Sequence, residues 1–204
     1  MKVGSEKVED DMERARWIRE EIGEERVLMM DANQKWDVQT AIASMEKLVK
    51  YNPIWIEEPT HADDVCGHRD INIALKKLDS SVNKAKCRVA TGEVAQNKVI
   101  FKQLLSEDAI DFCQIDAGRM SGGPSEIMSV MLMAAKKKCK IVPHAGGVGL
   151  CELVRQYSFI DFVCFTGEIR DSQLCEATAH LHEHFDEGVV FKQNAAKIQC
   201  YMPN

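Results

Sequence analysis

Short apolar runs alternate along this chain with longer amphipathic segments, and that alternation leaves few folds open. Val27-Leu28-Met29-Met30 stops at Asp31-Ala32-Asn33. Residues 38–50 follow, with Val38, Ala41, Ile42, Met45, Leu48 and Val49 at the three-to-four spacing of a helix. Ile54-Trp55-Ile56 is cut off by Glu57-Glu58-Pro59, and a helix is expected around 68–77. Arg88 to Thr91 leads into Gly92-Glu93 and a helix at 97–106. Phe112 to Ile115 ends at Asp116, ahead of a Met- and Ala-rich helix at 125–138. Lys140-Ile141-Val142 leads to Pro143-His144 and a helix from about 149 to 157; Ile160 to Phe165 reads as the last strand. A weak strand at Met1–Gly4 precedes an acidic amphipathic helix at about 6–22, which makes seven expected strands. Strand and helix repeated in this order imply a parallel sheet with helices outside it. Strands apolar on both faces suit that arrangement.

Composition narrows the function. Hydrophobic residues make up 45% of the 204, enough for a sizeable core. The formal net charge of −6 argues against a nucleic-acid or anionic-membrane partner. No apolar stretch reaches the roughly 20 residues that cross a bilayer, and no signal peptide opens the chain. The eight cysteines are scattered with no Cys-x-x-Cys pair, so reduced thiols in an intracellular protein are expected.

The charged residues are informative by position. Asp31, Glu57, Glu93, Asp116 and His144 each follow a different apolar run. In a parallel α/β barrel those strand ends share the face that carries the active site. Asp31, Glu57 and Glu93 on three consecutive strands would converge and repel one another. A hard divalent cation such as Mg²⁺, held by oxygen ligands, removes that cost. Helix N-caps are the competing explanation for any one of them; three in succession, each directly after a strand, are harder to explain so. Asp116 beside His144 would fix the imidazole tautomer and raise its basicity, as acid–base work requires. Glycines at 146, 147 and 149 let the backbone approach a ligand closely.

These residues resemble the barrel domain of the enolase superfamily, in its mandelate racemase-like group. The likeness is carried by Met30-Asp31-Ala32-Asn33-Gln34, Trp55-Ile56-Glu57-Glu58-Pro59-Thr60, Ala90-Thr91-Gly92-Glu93, Gln114-Ile115-Asp116, His144 to Glu152 and His180 to Phe185. It covers nearly all of residues 1–204, which are expected to form one catalytic barrel portion. The resemblance implies a partial TIM-type (β/α)7β barrel, lacking the first barrel strand and the N-terminal capping domain. It implies Asp31, Glu57 and Glu93 as Mg²⁺ ligands and His144 with Asp116 as an acid/base pair. Lys2 resembles the second lysine of the family's Lys-x-Lys motif. Glu176 resembles a last-strand carboxyl group that hydrogen-bonds the enolate, with Glu168 as the competing candidate. The implied activity is acid-sugar dehydration of the L-fuconate type: loss of the proton α to a carboxylate and of the β-hydroxyl, giving a 2-keto-3-deoxy acid. A small sugar acid is then the partner, a homo-oligomer is compatible with the family, and the compartment is mitochondrial or cytoplasmic.

Two alternatives stay open from sequence: a non-catalytic chain with a binding or regulatory role, and another acid-sugar dehydratase or racemase of the superfamily. His180, His182 and His184 do not converge as helix residues and are expected to be surface or packing residues. Trp17, Trp36 and Trp55 are expected in the core.

Overall fold

The computed structural model describes residues 1–78, 86–147, 150–167, 174–176, 178 and 200–201. It is an α/β structure whose five-stranded parallel sheet has the order β1-β2-β3-β4-β5. The strands are β1 (Leu28–Asp31), β2 (Pro53–Glu57), β3 (Arg88–Thr91), β4 (Phe112–Cys113) and β5 (Lys140–Ile141). Helices α1 (Val8–Ile22), α2 (Val38–Leu48), α3 (Val65–Leu78), α4 (Lys98–Ser106), α5 (Gly123–Lys137) and α6 (Leu150–Ile160) fall close to their expected spans. A separate parallel pair joins β6 (Cys175–Glu176) to β7 (Cys200–Tyr201). By its contacts the chain divides into two compact units, Met1–Thr91 with Gln103–Phe112 and Gly92–Lys102 with Cys113–Asn204.

In the first unit the weak strand of the sequence is present as a bridge. Lys2 pairs with Asp31 in the parallel sense, and Val3 N donates to the Asp31 carbonyl at 2.8 Å. The buried Asp11 carboxylate ties this entry to α1, accepting from Gly4 N at 2.9 Å, Ser5 N at 3.1 Å and the Arg14 guanidinium. Arg19 is buried at the far end of α1. Its guanidinium donates to the carbonyls of Tyr51, Gly23, Arg26 and Asn52 at 2.8 to 3.2 Å, pinning the turns that enter β1 and β2. Asp37 caps α2 by accepting from Thr40 N at 2.7 Å. Ala41, Met45 and Leu48 on α2 and Ile71 and Leu75 on α3 are buried with Met30, Ile56 and Val89 of the strands. The helix expected to reach residue 50 ends at Leu48 and tightens into a 3₁₀ turn, Val49–Tyr51, before Asn52 turns left-handed into β2. Trp17 is not a core residue. It is 52% exposed, because the buried stripe of α1 is the narrow line Asp11, Ala15 and Arg19. Trp36 and Trp55 are buried as expected.

The second unit buries Ile127, Val130, Met131 and Ala134 of α5 and Cys151, Val154 and Tyr157 of α6. Here one expected strand is overturned. Ile160 to Phe165 is helical: α6 runs on to Ile160 and then widens into a π-helical turn, Asp161–Thr166. No glycine or proline separates the run from the helix before it. The buried positions Cys151, Val154, Tyr157 and Asp161 continue the helical spacing, while Val163 is 73% exposed. Gly167, at φ 64°, ends the turn by donating to the Phe162 carbonyl at 2.8 Å. A short apolar run does not by itself distinguish strand from helix.

Candidate active site

Asp31 and Glu57 close β1 and β2 and are direct register partners. Neighbouring strands lie about 4.8 Å apart, so the two carboxylates leave the same face of the sheet side by side. Asp31 Oδ1 accepts from Asn33 N at 2.8 Å, and Oδ2 accepts from the Lys2 ammonium. Lys2, which resembles the second lysine of the family's Lys-x-Lys motif, has its ammonium on Asp31. Glu57 Oε2 accepts from the Trp55 indole N–H at 3.1 Å. The loops that follow are stitched together: Gln34 N donates to the Glu58 carbonyl at 2.8 Å and Gln34 Nε2 to Glu58 Oε1 at 3.0 Å. Asn33, Gln34 and Glu58 all have positive φ, between 42° and 62°, a cost concentrated at these two strand ends.

In the second unit Gly92, at φ 134°, turns the chain after β3 and delivers Glu93. Asp116 and His144 form a parallel bridge beyond β4 and β5, with His144 N donating to the Ile115 carbonyl at 3.0 Å. The expected pairing is present: His144 Nδ1 lies 2.6 Å from Asp116 Oδ2. A carboxylate only accepts, so Nδ1 carries the proton and Nε2 is left for chemistry. Asp116 Oδ1 is held by the backbone N–H groups of Gly118 at 2.7 Å and Arg119 at 3.0 Å, in the turn that follows; the cap of α5 is Gly122, so Asp116 is not a helix cap. Arg119 Nη1 donates to the Glu93 carbonyl and to Glu93 Oε1, both at 3.1 Å. Glu93 Oε2 lies 3.4 Å from His144 Nε2. Glu176 Oε2 accepts from Ala145 N at 2.6 Å, and Thr178 Oγ1 donates to the Ala145 carbonyl at 2.8 Å. Gly146 has no Cβ because one would stand 2.5 Å from His144 Cε1.

Burial alone would lower the His144 pKa. The Asp116 hydrogen bond and the charges of Glu93, Glu176 and Asp116 outweigh it, and the imidazole titrates above its ordinary 6.5. Asp116 is the mirror case. Burial pushes it up, and the His144 and Gly118 hydrogen bonds with the His144 and Arg119 charges hold it below 3.8.

The acids expected to gather round one ion are not a ready-made cluster: among the described residues no group of three or more His, Cys, Asp or Glu side chains is arranged to hold a metal. Each of the three acids has a nitrogen partner of its own: Lys2 on Asp31, Trp55 on Glu57 and Arg119 on Glu93. The donor set itself, carboxylate oxygen throughout, fits a hard divalent cation. Glu168, His180, His182 and His184 lie outside the described residues. Trp55, Arg119 and Thr178 were not picked out by sequence. Trp55 precedes Glu57 by two residues on one strand face, so that pairing had a signal in the spacing; Arg119 lies 26 residues from Glu93 and left none.

Strand-end acids, a His–Asp pair and a parallel sheet wrapped by helices define a class. The chain belongs to the enolase C-terminal domain-like family, whose model matches residues 1–199. The crystal structure of human mitochondrial enolase superfamily member 1 is similar at a TM-score of 0.84 and 47% identity, over 94% of this chain and 42% of that one. L-galactonate dehydratase of Hypocrea jecorina is 47% identical over 194 residues, 94% of this chain and 40% of that protein. L-talarate dehydratase from Polaromonas sp. JS666, solved with Mg and L-glucarate, gives a TM-score of 0.62 at 29% identity, over 70% of this chain and 37% of that one. The chain thus spans about two fifths of the length of the relatives it matches. Among the described residues no helix is long and apolar enough to cross a membrane.

Proposed function

We propose that this chain is the catalytic barrel portion of a Mg²⁺-dependent acid-sugar dehydratase, acting on L-fuconate or a sugar acid of like shape. The observation that carries the reading is the His144–Asp116 pair, 2.6 Å apart, with Glu93 beside the other imidazole nitrogen. Relatives named as L-galactonate and L-talarate dehydratases support the reaction class. Asp31, Glu57 and Glu93 would hold the ion, which when bound offsets the negative charge of a carboxylate substrate that loses its α-proton. His144 holds its exchangeable proton at Nε2. That nitrogen, on the side of Glu93, is placed to protonate the departing β-hydroxyl. Asp116 keeps the ring in that tautomer, and Glu176 sets the backbone that follows it. Lys2 would supply the second acid/base group once it leaves Asp31. Of the two compartments, the mitochondrial one is supported by the name of the human relative.

A non-catalytic role has one observation in its favour: each carboxylate already has a nitrogen partner. One experiment separates the two. The purified chain with Mg²⁺ is offered L-fuconate, L-galactonate and L-talarate, and 2-keto-3-deoxy acid is measured. Turnover is expected with at least one substrate, lost on chelation and reduced by about 10²–10⁴ in His144→Asn. Saturable Mg²⁺ binding with no product from any of them would favour the non-catalytic role.

A further inference from the structure

Trp55 lies in the middle of β2, 3% exposed, and its backbone is fixed between Met29 of β1 and Arg88 of β3. Its ring packs on Phe112 with centroids 4.9 Å apart at a tilt of 51°. A buried indole N–H needs an acceptor. That acceptor is Glu57 Oε2, at 3.1 Å. Residues two apart on a strand share a face, so this bond follows from the strand itself and not from a loop. Glutamate is otherwise a poor choice for a precise ligand, because several freely rotating bonds separate its carboxylate from the backbone.

From this we infer that Trp55 is a positioning residue for divalent-cation binding: its indole N–H fixes one oxygen of Glu57 and so aims the carboxylate before an ion arrives. The inference rests on the metal-binding part of the proposed function and adds a residue to it. Trp55 touches neither substrate nor ion. Its effect is on affinity, because partners that orient a ligand typically set about 10–100-fold in metal binding.

The test is Mg²⁺ titration by calorimetry, without substrate, of the wild type and Trp55→Phe. Phenylalanine keeps an aromatic ring beside Phe112 and removes the donor together with part of the indole's volume. The expected result is a Kd raised about 10-fold or more in Trp55→Phe, with a native circular dichroism spectrum and a cooperative urea transition that is lowered by the lost volume but complete only well above zero denaturant. Equal affinity in the two overturns the inference and leaves the metal reading standing. No Mg²⁺ binding by the wild type sinks both. A second measurement holds even if Trp55→Phe fails to fold. Three tryptophans mean three indole ¹⁵N–¹H signals, and the spectra of Trp17→Phe and Trp36→Phe assign the Trp55 signal by elimination. That signal is expected to move upfield in Glu57→Gln and to shift along the Mg²⁺ isotherm; a signal indifferent to both refutes the coupling.

Discussion

Gly92 turns the chain between β3 and Glu93 at φ 134°, and a methyl group added there would stand 2.6 Å from Phe101 Cε1 and 3.1 Å from the Gln114 carbonyl oxygen. Carbon atoms pack comfortably at about 3.5–4.0 Å, so the first contact falls short by roughly 1 Å. Phe101 is completely buried and cannot retreat. Two costs therefore add in Gly92→Ala: about 1–3 kcal/mol for a side chain in a backbone region reserved for glycine, and about 1–3 kcal/mol for overpacking. The sum is about 2–6 kcal/mol, opposite in sign to the gain of about 0.4–1 kcal/mol that alanine gives at an unstrained position. Gly123 provides the internal control, since its φ is 59° with nothing within 4 Å of an added Cβ. Gly123→Ala should lose only the left-handed backbone cost of about 1–2 kcal/mol. Urea unfolding followed by circular dichroism measures both. With a slope of about 2 kcal/mol per molar urea, a loss of 4 kcal/mol moves the midpoint by about 2 M. An unchanged midpoint in Gly92→Ala, or a loss no greater than that of Gly123→Ala, would show that the close packing around Gly92 does not carry the cost assigned to it.

Three further outcomes can be checked. Arg19→Lys should lower the unfolding free energy by about 3 kcal/mol, because an ammonium cannot reach the four carbonyls that the guanidinium fork bonds; a midpoint within error of the wild type would refute this. His68 is buried, which lowers its pKa below 6.5, and its Nδ1 lies 2.8 Å from the Asp64 carbonyl. The unfolded chain then binds the proton first, so stability should fall by about 1.4 kcal/mol per unit as pH drops from 6.5 to the folded pKa. His144 has the opposite sign: burial opposes its charge, but Asp116 and the neighbouring acids win, so its contribution is full below 6.5 and lost as pH rises through the raised folded value. His68→Asn should flatten the acid limb of the stability profile and His144→Asn the alkaline one; limbs identical to the wild type's would contradict the assignments. Gly146→Ala should displace the His144 ring, with its Cβ 2.5 Å from Cε1, and cost about 10²-fold in turnover for a shift near 1 Å, read against the wild type in the dehydration assay.

Much of the fold was legible because strand and helix leave different periods in the sequence. Met30, Ile56 and Val89 sit in short apolar runs closed by acids or glycine, and each is a buried strand residue. Residues 160–165 misled because the run was apolar but unpunctuated, and the helix before it did not stop. At the site, Asp116 and His144 were legible because both follow strands and the parallel register brings them together. Their counter-charges were not. Whether Arg119 turns toward Glu93, 26 residues away, is decided by rotamers and loop closure, which leave no periodic trace; the Trp55–Glu57 contact shares a strand face, but which acceptor the indole takes is again a matter of rotamers.

Ala145, the residue next to His144, has its N–H committed to Glu176 and its carbonyl to Thr178. The imidazole is therefore tethered on its downstream side to a stretch about thirty positions further along the polymer. Grafting studies that exchange that stretch between relatives would carry the aim of the histidine with it, even though no exchanged atom belonged to the ring. In such swaps the backbone seat of the histidine would depend on the donor of that stretch, while its ring partner, Asp116, stayed with the parent.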